Sequence, residues 1–181
     1  MRDLSLHLLD LTMNSIRAKA TLIEIKFIES KKNDQLIMVI KDNGCGMSQK
    51  MLEQVKNPFF TTRTTRKVGL GIPLLMAMSS RCEGDVFIQS EIGVGTEVRS
   101  TIKLSHIDRP PFGEIHNTIA SLIYLEPNID FIYEHQNDEL DYLFSTQLVK
   151  EVIKDLPINH QEVMNWINKE LKEGDCAFTT Y

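Results

Sequence analysis

The sequence predicts an α/β fold followed by a smaller α+β extension, and three observations carry that expectation. Leucine and isoleucine recur at helical spacing over residues 3–19. Residues 21–30, "TLIEIKFIES", and 35–41 then alternate apolar and polar side chains as half-buried strands do. The charge balance also changes sign along the chain: residues 1–104 hold 15 Lys and Arg against 11 Asp and Glu, a net +4, whereas residues 105–181 hold 5 against 14, a net −9.

The elements follow in order. After the helix at 3–19 and the strand at 21–30, "KKND" makes a turn into the strand at 35–41, which stops at Asp42. Ser48 is placed to cap a short helix ending near residue 55. "NPFFTTRTTRKV", residues 57–68, is polar and unpatterned and reads as a loop. A helix from Gly69 to about residue 82 tolerates Pro73 in its first turns. Strands at 84–91 and 96–104 flank "IGVG", a hairpin signal. Beyond Arg109-Pro110-Pro111 the pattern gives a helix at 114–125, strands "IDFIYEH" and "LDYLFST" around "QNDE", and helices at 147–156 and 160–172, the last capped by Asn159.

At 181 residues and 42% hydrophobic content the chain can bury a sizeable core. No apolar run is long enough to span a membrane, and "MRDLSLHLLD" carries acids where a signal peptide is basic and then apolar. Cys45, Cys82 and Cys176 are far apart, with no CxxC or zinc spacing, and read as structural thiols of a reducing compartment. Cytoplasmic residence is the expectation. A sequence pI near 5.5 and the acidic second part disfavour nucleic acid. Within the first part, residues 54–82 contain Lys56, Arg63, Arg66, Lys67 and Arg81 and no acid, which suits a polyphosphate.

Two features point to a site. On a helical wheel Asp3, His7, Asp10, Asn14 and Arg17 fall within an arc of about 80° on an otherwise largely apolar helix, a narrow polar stripe suited to lining a cleft. Asn14 offers an amide oxygen to a hard cation such as Mg²⁺, and Asp10, one turn earlier, can orient a water or a proton. His7 is placed to hydrogen-bond Asp10. In "VGLGIP", residues 68–73, glycines stand where the basic loop becomes a helix, and a helix N-terminus stripped of side chains presents backbone N–H groups to an anion. Neither GxxxxGK[ST] nor GxGxxG occurs.

Taken in order, Asn14, "DNGCGM" (42–47), "PFFTTR" (58–63), "GLG" (69–71) and "GVGT" (93–96) resemble the ATP-binding domain of the GHKL superfamily of gyrases, heat-shock chaperones, histidine kinases and mismatch-repair ATPases. The resemblance spans about residues 3–104 and is closest to sensor histidine kinases. It implies a Bergerat-type two-layer sandwich, a mixed sheet with helices on one face, for a domain at 1–104, followed by an acidic α+β extension at 105–181. It also implies ATP and Mg²⁺ as cofactors.

By the same resemblance, Asp42 accepts from the adenine amino group, and Gly44 and Gly46 let the base approach the backbone. Thr96 fixes the base through water, Asn14 holds Mg²⁺, and Gly69, Leu70 and Gly71 meet the phosphates. Residues 59–68, with Phe60, Arg63 and Lys67, form a lid. Asp10 takes the place of the catalytic glutamate of hydrolytic members or the asparagine of many kinases. Being one methylene shorter than glutamate, it favours slow turnover. Only nine residues precede Asp10, too few for the helical hairpin bearing a sensor kinase's phosphorylated histidine. The chain also resembles small stand-alone bacterial histidine-kinase-like ATPases.

These readings give two functions of different class. In the first, ATP is hydrolysed slowly or its γ-phosphate passes to a separate protein. In the second, ATP binding without catalysis reshapes a surface that docks a partner. A topoisomerase or mismatch-repair role fits least, because those proteins append a transducer domain.

Overall fold

The computed structural model describes residues 3–55, 70–176 and 178. Twelve elements follow the expected order: α1 (Leu4–Arg17), β1 (Leu22–Ser30), β2 (Gln35–Asp42), α2 (Gln49–Gln54), α3 (Gly71–Arg81), β3 (Asp85–Glu91), β4 (Gly95–Lys103), α4 (Ile115–Leu125), β5 (Asp130–Gln136), β6 (Asp141–Ser145), α5 (Thr146–Ile153) and α6 (Gln161–Cys176).

The six strands form one mixed sheet in the order β3-β4-β2-β1-β5-β6. Only β1 and β5 run parallel; every other neighbouring pair is antiparallel. Alternation decides which face is covered. Ile23, Ile25 and Phe27 of β1 and Leu36, Met38 and Ile40 of β2 are buried under helices, while Lys26 pairs with Glu134 and Lys41 with Glu24 on the opposite face. Helix α1 packs between α3 and α4, and α4 against α6, so helices cover one face. The core between the layers is centred on Leu4, Leu8, Phe27, Phe131 and Tyr133.

Residues 105–181, expected as a distinct extension, add two strands to this same sheet. β5 pairs with β1 from Leu22↔Asp130 to Ile28↔Gln136. The segment leading to α4 also completes α1: the N–H groups of Leu4 and Ser5, which no helical turn can satisfy, donate to the Pro111 and Phe112 carbonyls at 3.0 Å. Asp3 caps the same end, its Oδ1 accepting from the Leu6 N–H at 3.0 Å.

Boundaries shift for local reasons. Ser48 caps α2 as expected, its hydroxyl accepting from the Met51 N–H. Helix α3 begins at Gly71, with Leu70 rather than a residue before Gly69 at the cap position. In α6 the first helical bond runs from the Met164 N–H to the His160 carbonyl, which makes His160 the cap residue in place of Asn159. The expected loop at 57–68 lies outside the described residues.

Candidate functional site

A cavity of about 270 Å³ opens between α1, the end of β2, the start of α3 and the β3–β4 hairpin. Asn14, Asp42, Gly46, Gly71 and Thr96 line it, together with Ser15, Arg17, Met47 and Ile72. Four chain segments far apart in sequence therefore meet at one pocket.

Asp42 ends β2 on the covered face and is 9% exposed. Its two carboxylate oxygens are held separately: Oδ1 accepts from the Gly44 N–H at 2.9 Å, and Oδ2 accepts from the buried Ser15 hydroxyl at 2.6 Å. Each oxygen retains acceptor capacity, so the carboxylate is aimed and still able to bind a donor.

The glycine turn after Asp42 is fixed from every side. Asn43 Oδ1 accepts from the N–H groups of Thr21 and Leu22, and the Cys45 N–H donates to the Ala18 carbonyl at the end of α1. On the other side the Gly93 N–H donates to the Cys45 carbonyl, and the Met47 N–H donates to the Ser90 hydroxyl. The glycines are required by these approaches. Gly46 sits at φ +65, and a Cβ there would lie 1.9 Å from the Glu91 carbonyl oxygen; a Cβ at Gly44 would lie 2.7 Å from that of Ala18. Gly95, at φ +136, is pressed likewise against the Asp42 carbonyl.

At the other end of the cavity, α3 starts with no side-chain cap bond from Leu70 and no acid in its first turn, so among the described residues no side chain caps its N-terminal backbone donors. A Cβ on Gly71 would lie 3.5 Å from Asp10 Oδ2, so Asp10 faces the start of this helix. Asn14 Oδ1, the oxygen suited to a cation, accepts from Arg17 Nη1 at 3.2 Å.

The polar stripe of α1 divides. Asn14 and Arg17 reach the cavity and Asp10 stands beside Gly71, but Asp3 is a cap and His7 is buried at 2% exposure. The His7 Nδ1 makes no hydrogen bond among the described residues, so it does not hold Asp10 through that atom. Burial lowers the His7 pKa to about 4, and the ring is neutral at physiological pH. Leu70 is 47% exposed at the α3 cap, and neither it nor Gly44 lines the cavity. Phe60, Arg63, Lys67 and Gly69 lie outside the described residues.

Sequence reasoning passed over Ser15 and Ser90. Ser15 directly follows Asn14 and was legible as its neighbour on a buried helix face; Ser90, an ordinary strand residue, carried no signal. Among the described residues the three cysteines are free, no group of three acidic, His or Cys side chains is placed to hold a metal, and no helix is long and apolar enough to cross a membrane.

The sequence model of the family described as histidine kinase-, DNA gyrase B-, and HSP90-like ATPase matches residues 2–106. A putative sensor protein of Shewanella frigidimarina is 36% identical over 103 residues, 56% of this chain and 16% of its own length. Sporulation kinase C of Bacillus subtilis is 31% identical over 75 residues, 41% of this chain and 17% of its own. The chain thus spans about a sixth of the length of these relatives.

Among solved structures, the N-terminal domain of a DNA repair protein aligns with TM-score 0.58 at 16% identity over 96% of this chain and 56% of that one. The Aquifex aeolicus MutL ATPase domain complexed with ADP aligns with TM-score 0.52 at 17% identity over 85% and 70%. Both show a shared fold that extends past residue 106. The chain belongs to the histidine kinase-, DNA gyrase B-, and HSP90-like ATPase family.

Proposed function

We propose that this chain binds Mg-ATP in the α1–β2–α3 cavity and either hydrolyses it slowly or passes its γ-phosphate to a separate protein. The observation that carries the proposal is the buried Asp42 carboxylate, oriented by Ser15 and Gly44 at one end of a pocket whose other end is the uncapped start of α3. A base with an amino donor suits the first end, and a polyphosphate suits the second.

Asn14 fits the metal, since Mg²⁺ usually takes one or two protein oxygens and completes its shell with phosphate and water. When bound, the ion would supply charge neutralisation at the phosphates. Asp10, beside Gly71, is the residue positioned to orient a water or accept a proton there. Asp10 is the catalytic residue of this proposal, and Gly44, Gly46, Phe60, Arg63, Lys67, Gly69, Leu70, Gly71 and Thr96 are its nucleotide-binding residues. ATP and ADP are the ligands, a separate protein is the partner or phosphoacceptor, and the cytoplasm is the location.

The alternative is a non-catalytic, ATP-responsive module that docks a partner, which the short Asp10 side chain favours. Turnover of γ-³²P-ATP by wild type, Asp10→Ala and Asp42→Asn, with binding measured on the same samples, separates the two. Catalysis predicts turnover in wild type, binding without turnover in Asp10→Ala, and no binding in Asp42→Asn. Wild type that binds ATP and never turns it over removes the catalytic claim and leaves the module.

A further inference from the structure

Ser90, Thr96 and Asp42 stand side by side across three strands. The register sets Ser90 of β3 opposite Thr96 of β4, and Thr96 opposite Asp42 of β2, so the three side chains rise from one face of the sheet. Thr96 and Asp42 line the cavity, and Ser90 backs Thr96 on the far side.

The Ser90 hydroxyl has three partners. It accepts from the Met47 N–H at 2.8 Å, lies 3.0 Å from the Gly95 carbonyl oxygen, and lies 2.8 Å from Thr96 Oγ1. A hydroxyl has one proton and two lone pairs; an amide N–H only donates and a carbonyl only accepts. One arrangement alone satisfies all three contacts. Met47 donates to Ser90, Ser90 donates to Gly95, and Thr96 donates its single proton to Ser90. The reverse, with Ser90 donating to Thr96, gives up the bond to Gly95. Thr96 is thereby left with only lone pairs to offer the cavity.

We propose that Ser90 is a positioning residue for base selectivity: by holding Thr96 as an acceptor beside Asp42, it makes this wall select a 6-aminopurine nucleotide and reject a 6-oxopurine. The proposal rests on the nucleotide reading above. Asp42 takes a proton of the amino group, and a water that donates to Thr96 turns its other proton to N1, a lone pair in a 6-aminopurine; a 6-oxopurine sets a carbonyl against Asp42 and an N1–H against that water. Without Ser90 the Thr96 hydroxyl is free to rotate and donate, which relaxes the selection.

The test compares dissociation constants for ATP and ITP in wild type, Ser90→Ala and Ser90→Thr of the full chain, each also with Thr96→Val. Ser90→Ala is expected to lower the ATP-over-ITP preference by about 5- to 10-fold, the worth of one neutral hydrogen bond. Ser90→Thr keeps the hydroxyl and restores the preference, and with Thr96→Val the Ser90 substitution no longer changes it. If Ser90→Ala does not fold, Ser90→Cys carries the same test, because a thiol is only a weak acceptor. An equal loss for ATP and ITP makes Ser90 a brace and overturns the proposal, as does a wild type that binds ATP with no preference over ITP. A wild type that binds neither nucleotide overturns the nucleotide reading as well.

Discussion

The Ser15 hydroxyl donates to Asp42 Oδ2 at 2.6 Å across 27 residues of sequence, joining the helix that carries Asn14 to the strand that ends at the glycine turn. Both side chains are buried. Ser15→Ala leaves one carboxylate oxygen without its protein donor, and a hydrogen bond to a charged group contributes about 1.5–3 kcal/mol. A loss of that size in urea-measured stability is expected, together with weaker ATP binding in a titration. Unchanged values for both would show that Gly44 alone holds the carboxylate.

Gly46 and Gly71 both line the cavity and are expected to answer an added methyl in different ways. At Gly46 the positive φ and the Glu91 carbonyl oppose any side chain, so Gly46→Ala is expected to lower stability by about 3 kcal/mol or more. At Gly71, the first residue of α3, the methyl meets Asp10 at ordinary contact distance with no positive φ to oppose it, so Gly71→Ala is expected to leave stability unchanged to within about 0.5 kcal/mol. Its methyl fills the space between Asp10 and the helix start, so turnover falls while the fold holds. Thermal melts and turnover of the two variants check the contrast.

His135 makes the junction of β5, β1 and α6 pH-sensitive. Burial by itself would lower its pKa, but the Asp175 and Glu29 carboxylates beside the ring raise it above 6.5. The facing groups are Glu29 of β1 at 2.9 Å from Nε2, Tyr133 of β5 at 3.2 Å from Nδ1, and Asp175 of α6 at 3.7 Å from Nδ1; His116 of α4 contacts the other Asp175 oxygen, and the Phe178 ring stacks on the imidazole. A raised folded pKa contributes stability that is fully present below the unfolded value and is lost as pH rises through the folded one. The urea midpoint of wild type is therefore expected to fall between pH 6 and pH 8.5, and that dependence to flatten in His135→Gln. A wild-type midpoint that rises over this range would contradict the charged histidine.

Removing residues 105–181 strips β5 from β1 and takes the Pro111 and Phe112 carbonyls from the start of α1. Phe27, fully buried in the whole chain, loses its packing against Tyr133 and Phe112. Domains are stable by only about 5–15 kcal/mol, and this loss is expected to exceed it. Circular dichroism and gel filtration of residues 1–104 should show an unfolded or aggregated chain that does not bind ATP. A monomeric, cooperatively folded fragment with full affinity would show that the first 104 residues suffice.

Most elements were legible because local periodicity decides them: the leucines of α1, the alternation of β1 and β2, and the glycines of the hairpin each state their own structure. Asp42 at a strand end and Asn14 on a helix were legible as candidates because their residue types are costly there unless used. The wheel grouped His7 with the polar stripe, but an angle does not say which neighbour covers a side chain; α1 turns that edge inward, burying His7 and leaving its Nδ1 unbonded among the described residues.

By itself the sequence determined the order and kind of the elements, the glycine turn after Asp42, and the charge contrast between the two parts of the chain, all of which depend on neighbouring residues alone. Tertiary structure decided that β5 joins β1, that Ser15 meets Asp42, and that Ser90 backs Thr96. Those pairings depend on strand order and register, which close contacts between residues far apart in the chain and leave no periodic mark in the sequence.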